Sequence, residues 1–148
     1  MPVVNKEVFI NATSVEIFNF VSKPSNLLQI WPSLEEMKEV KLFPDGGYNF
    51  FWKYKIHGMH FTGTGECVDI FPHLWLSSKT HGSIESTTTW TFRTNINQKT
   101  MVTLTVDYHI PSPLLRFLAE STISKVNDQE SGLILENLRA KFEKVMSK

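Results

Sequence analysis

One carboxylate in this 148-residue chain stands where chemistry could use it. Glu130 falls near the centre of the apolar stripe of the last helical segment, between Val126 and Leu133, with Asn127 close to the same line. A carboxylate facing an apolar cavity has a raised pKa and can serve as a general acid or base. The competing reading is a solvated Glu130 near an open end of the helix. Lys141, near the same stripe, shows that the stripe tolerates exposed charge. Perturbed carboxylates mark function only statistically, so the sequence favours the solvated reading and leaves any catalytic residue unknown.

The aromatics offer a second kind of chemistry, that of binding. The run from Phe50 to Cys67 reads F-F-W-K-Y-K-I-H-G-M-H-F-T-G-T-G-E-C and predicts a hairpin turning at Gly58-Met59. In that register Ile56 faces Phe61, Tyr54 faces Gly63, Trp52 faces Gly65 and Phe50 faces Cys67. All four pairs share one face, because side chains alternate along a strand. Rings opposite glycines make a stepped wall, and a strand glycine marks a bend or a close approach. Trp90 and Tyr108 fall on the inward face of two later strands, beside Ser86 and Thr88. Trp52, Tyr54, Phe61, Trp90 and Tyr108 either line a cavity that stacks on a flat ligand or pack as ordinary core. A buried tyrosine needs a partner for its hydroxyl, which favours the lining. Ser86 and Thr88 either orient a ligand by hydrogen bonding or bond nearby groups of the protein.

His57 and His60 flank the expected turn as cross-strand neighbours, with Cβ atoms ~5 Å apart. That spacing suits two metal ligands, but a zinc site takes three or four and no third is evident. An exposed hairpin tip is the expectation, with no metal. The sequence carries no Ser-His-Asp arrangement, phosphate loop or nucleotide fingerprint, so no cofactor is implied. Cys67 is the only cysteine, which precludes an intrachain disulfide; on an inward face it reads as a small buried hydrophobe.

These residues need elements to position them. Length and composition suit one globular domain over 1–148. Lys+Arg and Asp+Glu number 15 each, and the absent basic excess argues against nucleic acid. No apolar run approaches the ~18 residues of a membrane helix. The N-terminal residues lack a signal-peptide pattern, so a reducing cytoplasm is the expected compartment. Residues 3–10 predict a strand. Thr13-Ser14-Val15-Glu16 is a capping box opening a helix to about residue 22. Pro24 opens a second short helix through Leu27, Leu28 and Ile30, which Trp31-Pro32 ends. Six strands follow, at about 35–43, 48–57, 60–71, 74–80, 84–94 and 100–110, with turns at 44–47 and 71–73. The last segment starts at Ser112-Pro113. Leu114, Phe117 and Leu118 lie almost opposite the stripe of Val126, Leu133, Ile134, Leu138, Phe142 and Val145. A break near 119–123 is therefore expected, with a long helix from about 123 to 146 and an exposed Glu136/Arg139 pair. The economical packing is a curved antiparallel sheet of about seven strands wrapped around that helix.

The chain resembles the START-like superfamily, also called SRPBCC. The resemblance rests on V-F-I-N-A-T-S-V-E-I-F-N-F-V at 8–21, W-P-S-L-E-E-M-K-E-V at 31–40, W-K-Y-K-I-H-G at 52–58 and L-E-N-L-R-A-K-F-E at 135–143. It is similar above all to the small polyketide cyclase/dehydrase-type members, and it also resembles plant pathogenesis-related allergens. The resemblance implies an α+β helix-grip fold in β-α-α-β6-α order and a strand within 31–40. It also implies a deep cavity between sheet and last helix for lipids, polyketides, isoprenoid-like molecules or other apolar rings. The expected partner is a small hydrophobic molecule, bound by Trp52, Tyr54, Phe61, Ser86, Thr88, Trp90, Tyr108, Asn127 and Glu130. Two alternatives stand beside binding: a cyclase, aromatase or dehydratase using Glu130 or a pocket tyrosine, and a protein-interaction module with a vestigial cavity. Oligomeric state stays open.

Overall fold

The computed structural model describes residues 3–44 and 46–146, without the side chains of Glu39, Val40, Leu115, Leu118, Ala119, Glu120, Lys144, Val145 and Met146. Along the chain come β1 (Val3–Ile10), α1 (Ser14–Val21), α2 (Pro24–Leu27), β2 (Leu34–Leu42), β3 (Tyr48–Ile56), β4 (Met59–Phe71), β5 (Trp75–Gly82), β6 (Glu85–Thr94), β7 (Thr100–His109) and α3 (Pro113–Met146). The expected capping box forms at the start of α1. The Thr13 hydroxyl accepts from the Glu16 amide, and the Glu16 carboxylate accepts from the Thr13 amide. The second helix is shorter than expected, and Leu28, Gln29 and Ile30 continue it as turns.

The strands form one antiparallel sheet in the order β1-β7-β6-β5-β4-β3-β2. Six of them meander, while α1 and α2 carry the chain from β1 at one edge to β2 at the other. The sheet curls around α3 as an α+β helix-grip fold. Bulges at Glu35 and Val40 in β2 and at Val68 in β4 interrupt the ladders; each bends its strand and adds twist. Alternation puts Ile84, Thr88, Trp90 and Phe92 of the β6 region, and Val102, Leu104, Val106 and Tyr108 of β7, in the buried layer. Ile123, Ser131, Ile134, Leu135 and Leu138 of α3 close that layer from the other side. Glu136 and Arg139 form the expected ion pair on the outer face.

Three expectations are corrected. The β3–β4 hairpin is shifted by two residues: Trp52 faces Gly63, Phe50 faces Gly65, Tyr54 faces Phe61 and Tyr48 faces Cys67. The turn is His57-Gly58, whose φ values are 49° and 81°. A two-residue hairpin turn of the I′ kind needs positive φ at both central residues and favours glycine second. His57 is therefore a turn residue, and His60 pairs with Lys55 instead. The helix break is absent. Leu114 and Phe117 are 69% and 86% exposed, so they never turn toward the sheet and α3 continues past them. Leu133, expected on the buried stripe, is exposed and Leu135 is buried in its stead. Leu118 and Val145, also named in that pattern, have side chains outside the described residues, as does Asp45 in the turn at 44–47.

A divided cavity between sheet and helix

The inward face and α3 do not quite meet. Between them lies a cavity of about 40 Å³, room for about three water molecules. Tyr54 and Ile56 of β3, Ser86 and Thr88 of β6, and Val106 and Tyr108 of β7 form its sheet wall. Ile123, Val126, Asn127 and Glu130 of α3 form the opposite wall, and Trp31 and Ser33 of the α2–β2 connection close one side. A second chamber of about 30 Å³ lies deeper in the sheet, against Tyr48, Phe50, Trp52, Leu76 and Trp90. Trp31, Tyr54 and Thr88 border both chambers. The Trp31 and Tyr54 rings are stacked, with centroids 6.4 Å apart and planes 27° from parallel. Trp52 packs on the other side of Tyr54 at 5.1 Å.

Polar groups gather in the first chamber. Glu130 accepts two hydrogen bonds from one residue, the Ser33 amide on Oε2 at 2.7 Å and the Ser33 hydroxyl on Oε1 at 2.6 Å. Burial raises the Glu130 pKa above its ordinary 4.5; the Ser33 bonds and, last, the Trp31 side chain pull it partly back. Burial also holds the Tyr54 hydroxyl well above its usual range, and the Glu130 charge pushes the same way. Tyr54 therefore stays a hydrogen-bond donor at physiological pH. Asn127 turns a buried Nδ2 into this region with no acceptor among the described residues. The Ser86 hydroxyl pairs with that of Thr80 at 2.6 Å. Cys67 is buried, and desolvation pushes its thiol up to about 11, which leaves it unreactive.

Residues 1–143 match the family described as polyketide cyclase / dehydrase and lipid transport. The chain belongs to that family. The chain also superposes on known structures. TTHA0849 from Thermus thermophilus aligns with a TM-score of 0.82 at 18% identity, over 97% of this chain and 99% of that one. The Zhui aromatase/cyclase from a Streptomyces species aligns at 0.82 with 15% identity, over 96% and 93%. A START superfamily protein from Mycobacterium smegmatis aligns at 0.72 with 14% identity, over 97% and 98%. At these identities the likeness is one of fold. No curated protein matches the sequence. Among the described residues no helix is long and apolar enough to cross a membrane.

Within this family member, Tyr54, Ser86, Thr88, Tyr108, Asn127 and Glu130 border the first chamber, and Trp52 and Trp90 join Tyr54 and Thr88 around the second. Phe61 is 1% exposed and borders neither; the two-residue register shift sets it opposite Tyr54. Glu130 is not in open water, as the sequence favoured. It is half-buried and bonded to a residue 97 positions away. Trp31 and Ser33 escaped the sequence reading. The Trp31-Pro32 step served there as a helix stop and as part of the resemblance, not as a cavity edge.

The Glu130 shift has a stability consequence. Its folded pKa lies above the unfolded value, so the folded state holds the proton more tightly. Its contribution to stability is greatest below the unfolded value of about 4.5 and is lost as pH rises through the folded one. Glu130→Gln removes that titration. Urea unfolding of both proteins from pH 4 to 8 should give a difference that moves steadily in favour of the variant as pH rises; a constant difference refutes the shift.

Proposed function

We propose that this protein binds a small hydrophobic or aromatic molecule, lipid-, polyketide- or isoprenoid-like, in the hollow between the sheet and α3. The carrying observation is the make-up of that hollow: aromatic walls, and at one end a carboxylate, a tyrosine donor and the unpartnered Asn127 Nδ2. A buried N–H without an acceptor costs about 1–3 kcal/mol, and a ligand oxygen would relieve it. Family membership and the likeness to a START protein and an aromatase/cyclase support this reading. Ligand pockets usually enclose ~300–1,000 Å³, so binding requires the two small chambers both to merge and to widen by movement of a wall residue. Saturable 1:1 titration with anilinonaphthalene sulfonate, together with a molecule recovered by organic extraction of the purified protein, is the expected result. Absence of both refutes the reading.

A second reading is a cyclase-, aromatase- or dehydratase-type enzyme with Glu130 as acid/base. The raised Glu130 pKa beside a protonated Tyr54 favours it. Both Glu130 oxygens are bonded to Ser33, however, so proton transfer would first require that pair to part. Turnover of a ring-forming polyketone substrate that vanishes in Glu130→Gln would select this reading over simple binding.

A further inference from the structure

Of the three residues that border both chambers, Trp31 is the one carried outside the sheet. Trp31 borders both chambers and stacks on Tyr54. It sits on a short connection that α3 grips at two points about two helical turns apart. Asn137 Nδ2 donates to the Ile30 carbonyl at 3.1 Å, and Glu130 holds Ser33 by both oxygens. The grips differ in kind. Ile30 is fully buried, so its end of the connection is anchored in the core. Ser33 is only half-buried, and its amide and hydroxyl are both held by one carboxylate. Just beyond it, β2 begins irregularly: Leu34 pairs with Tyr54 and Glu36 with Lys53, which leaves Glu35 bulged. A bulge interrupts the ladder and lets a strand end bend. The bond from the Lys55 amide to the Ser33 carbonyl, 2.9 Å, ties that end to β3.

We propose that residues 31–33 form a lid, anchored at Ile30, flexing at the Glu35 bulge and clasped shut by Ser33 on Glu130, and that its release withdraws Trp31 and joins the two chambers. The proposal rests on the binding reading above and narrows it. The molecule that opens the lid replaces the Trp31 contact on Tyr54 and the Ser33 contact on Glu130. A flat ring takes the place of Trp31 on Tyr54, and a hydroxyl or N–H beside the ring takes the place of Ser33 on Glu130. The ligand class is thus a donor-bearing aromatic, such as a phenol or a fused-ring alcohol.

The test compares the full-length protein with Ser33→Ala, which deletes the hydroxyl of the clasp and keeps the amide. Amide hydrogen exchange without ligand and stopped-flow association of 2-naphthol and of naphthalene are read together. Loss of one hydrogen bond to a charged group is worth about tenfold. Exchange at residues 31, 33 and 34 should quicken by about that factor, with β4 to β6 unchanged, and both probes should associate faster. 2-Naphthol should bind wild type more tightly than naphthalene. Unchanged exchange at 31–34, or faster exchange with unchanged association, overturns the lid. If Ser33→Ala loses protection throughout the sheet, Glu130→Gln, which keeps one acceptor for Ser33, is read by the same criteria. Probes that bind wild type and variants at equal rates refute the lid alone. Probes that bind none of them refute the binding reading, and the lid falls with it.

Discussion

Gly63→Ala should unfold this protein or cost it about 3 kcal/mol or more, at the upper end of what overpacking does. A Cβ at position 63 would lie 2.0 Å from the His81 carbonyl oxygen, 2.9 Å from its carbon and 2.7 Å from Cζ2 of Trp52. The worst contact is backbone, fixed by the pairing of Gly63 with Gly82 across β4 and β5, and no rotamer change relieves it. The cause is space alone, for Gly63 is not among the positive-φ glycines. Gly132→Ala in α3 is the matching control. Nothing lies within 4 Å of its Cβ, and an alanine in a helix should add about 0.5–1 kcal/mol. Urea unfolding of the two variants should therefore shift in opposite directions. The double variant Gly63→Ala/Trp52→Ala should stay unstable, because shortening Trp52 leaves the carbonyl clash in place. Recovery in that double variant, or a Gly63→Ala as benign as Gly132→Ala, would show that the close approach of β4 to β5 does not constrain this site.

Such crowding explains why the sequence was readable in some respects and not in others. A strand pattern has a period of two, so a two-residue error in the hairpin left every side chain on its proper face while changing every partner. The inward aromatics were therefore legible, and their opposing glycines were matched one step out. Turn chemistry, not hydrophobic pattern, held the missing information, since His57-Gly58 gives glycine the second central position. In α3 the pattern misled by treating Leu114 and Phe117 as buried. Apolar residues are common on surfaces, and periodicity carries no signal for where a helix outruns its sheet. Glu130 was legible as a carboxylate on the buried stripe, but its partner lay at the far end of the chain's path. Nothing local to Ser33 announces that its amide and hydroxyl point at a helix formed 97 residues later. The site was thus readable as a face and unreadable as a set of contacts.

Whether the interior tryptophans behave as walls or as filling has a measurable answer, and Trp90→Ala should lose about 3–5 kcal/mol, the usual cost of deleting a fully packed large aromatic. Trp90 is 1% exposed and stacks nearly parallel on Phe92, at 6.5 Å and 3°. It borders the chamber of about 30 Å³ shared with Trp52. Truncation would open that chamber by roughly an indole ring, into a space lined by Phe50, Trp52 and Leu76 that has little means of collapsing. A typical domain has about 5–15 kcal/mol in hand, so the variant should remain folded at low temperature. An apolar cavity of this kind stays dry and takes apolar guests. Added indole should then restore stability by about 2.7 kcal/mol at a hundredfold excess over its dissociation constant. A loss below about 1 kcal/mol would mean that Trp90 is not packed as core. With the expected result, Trp90 is a fixed wall of the second chamber.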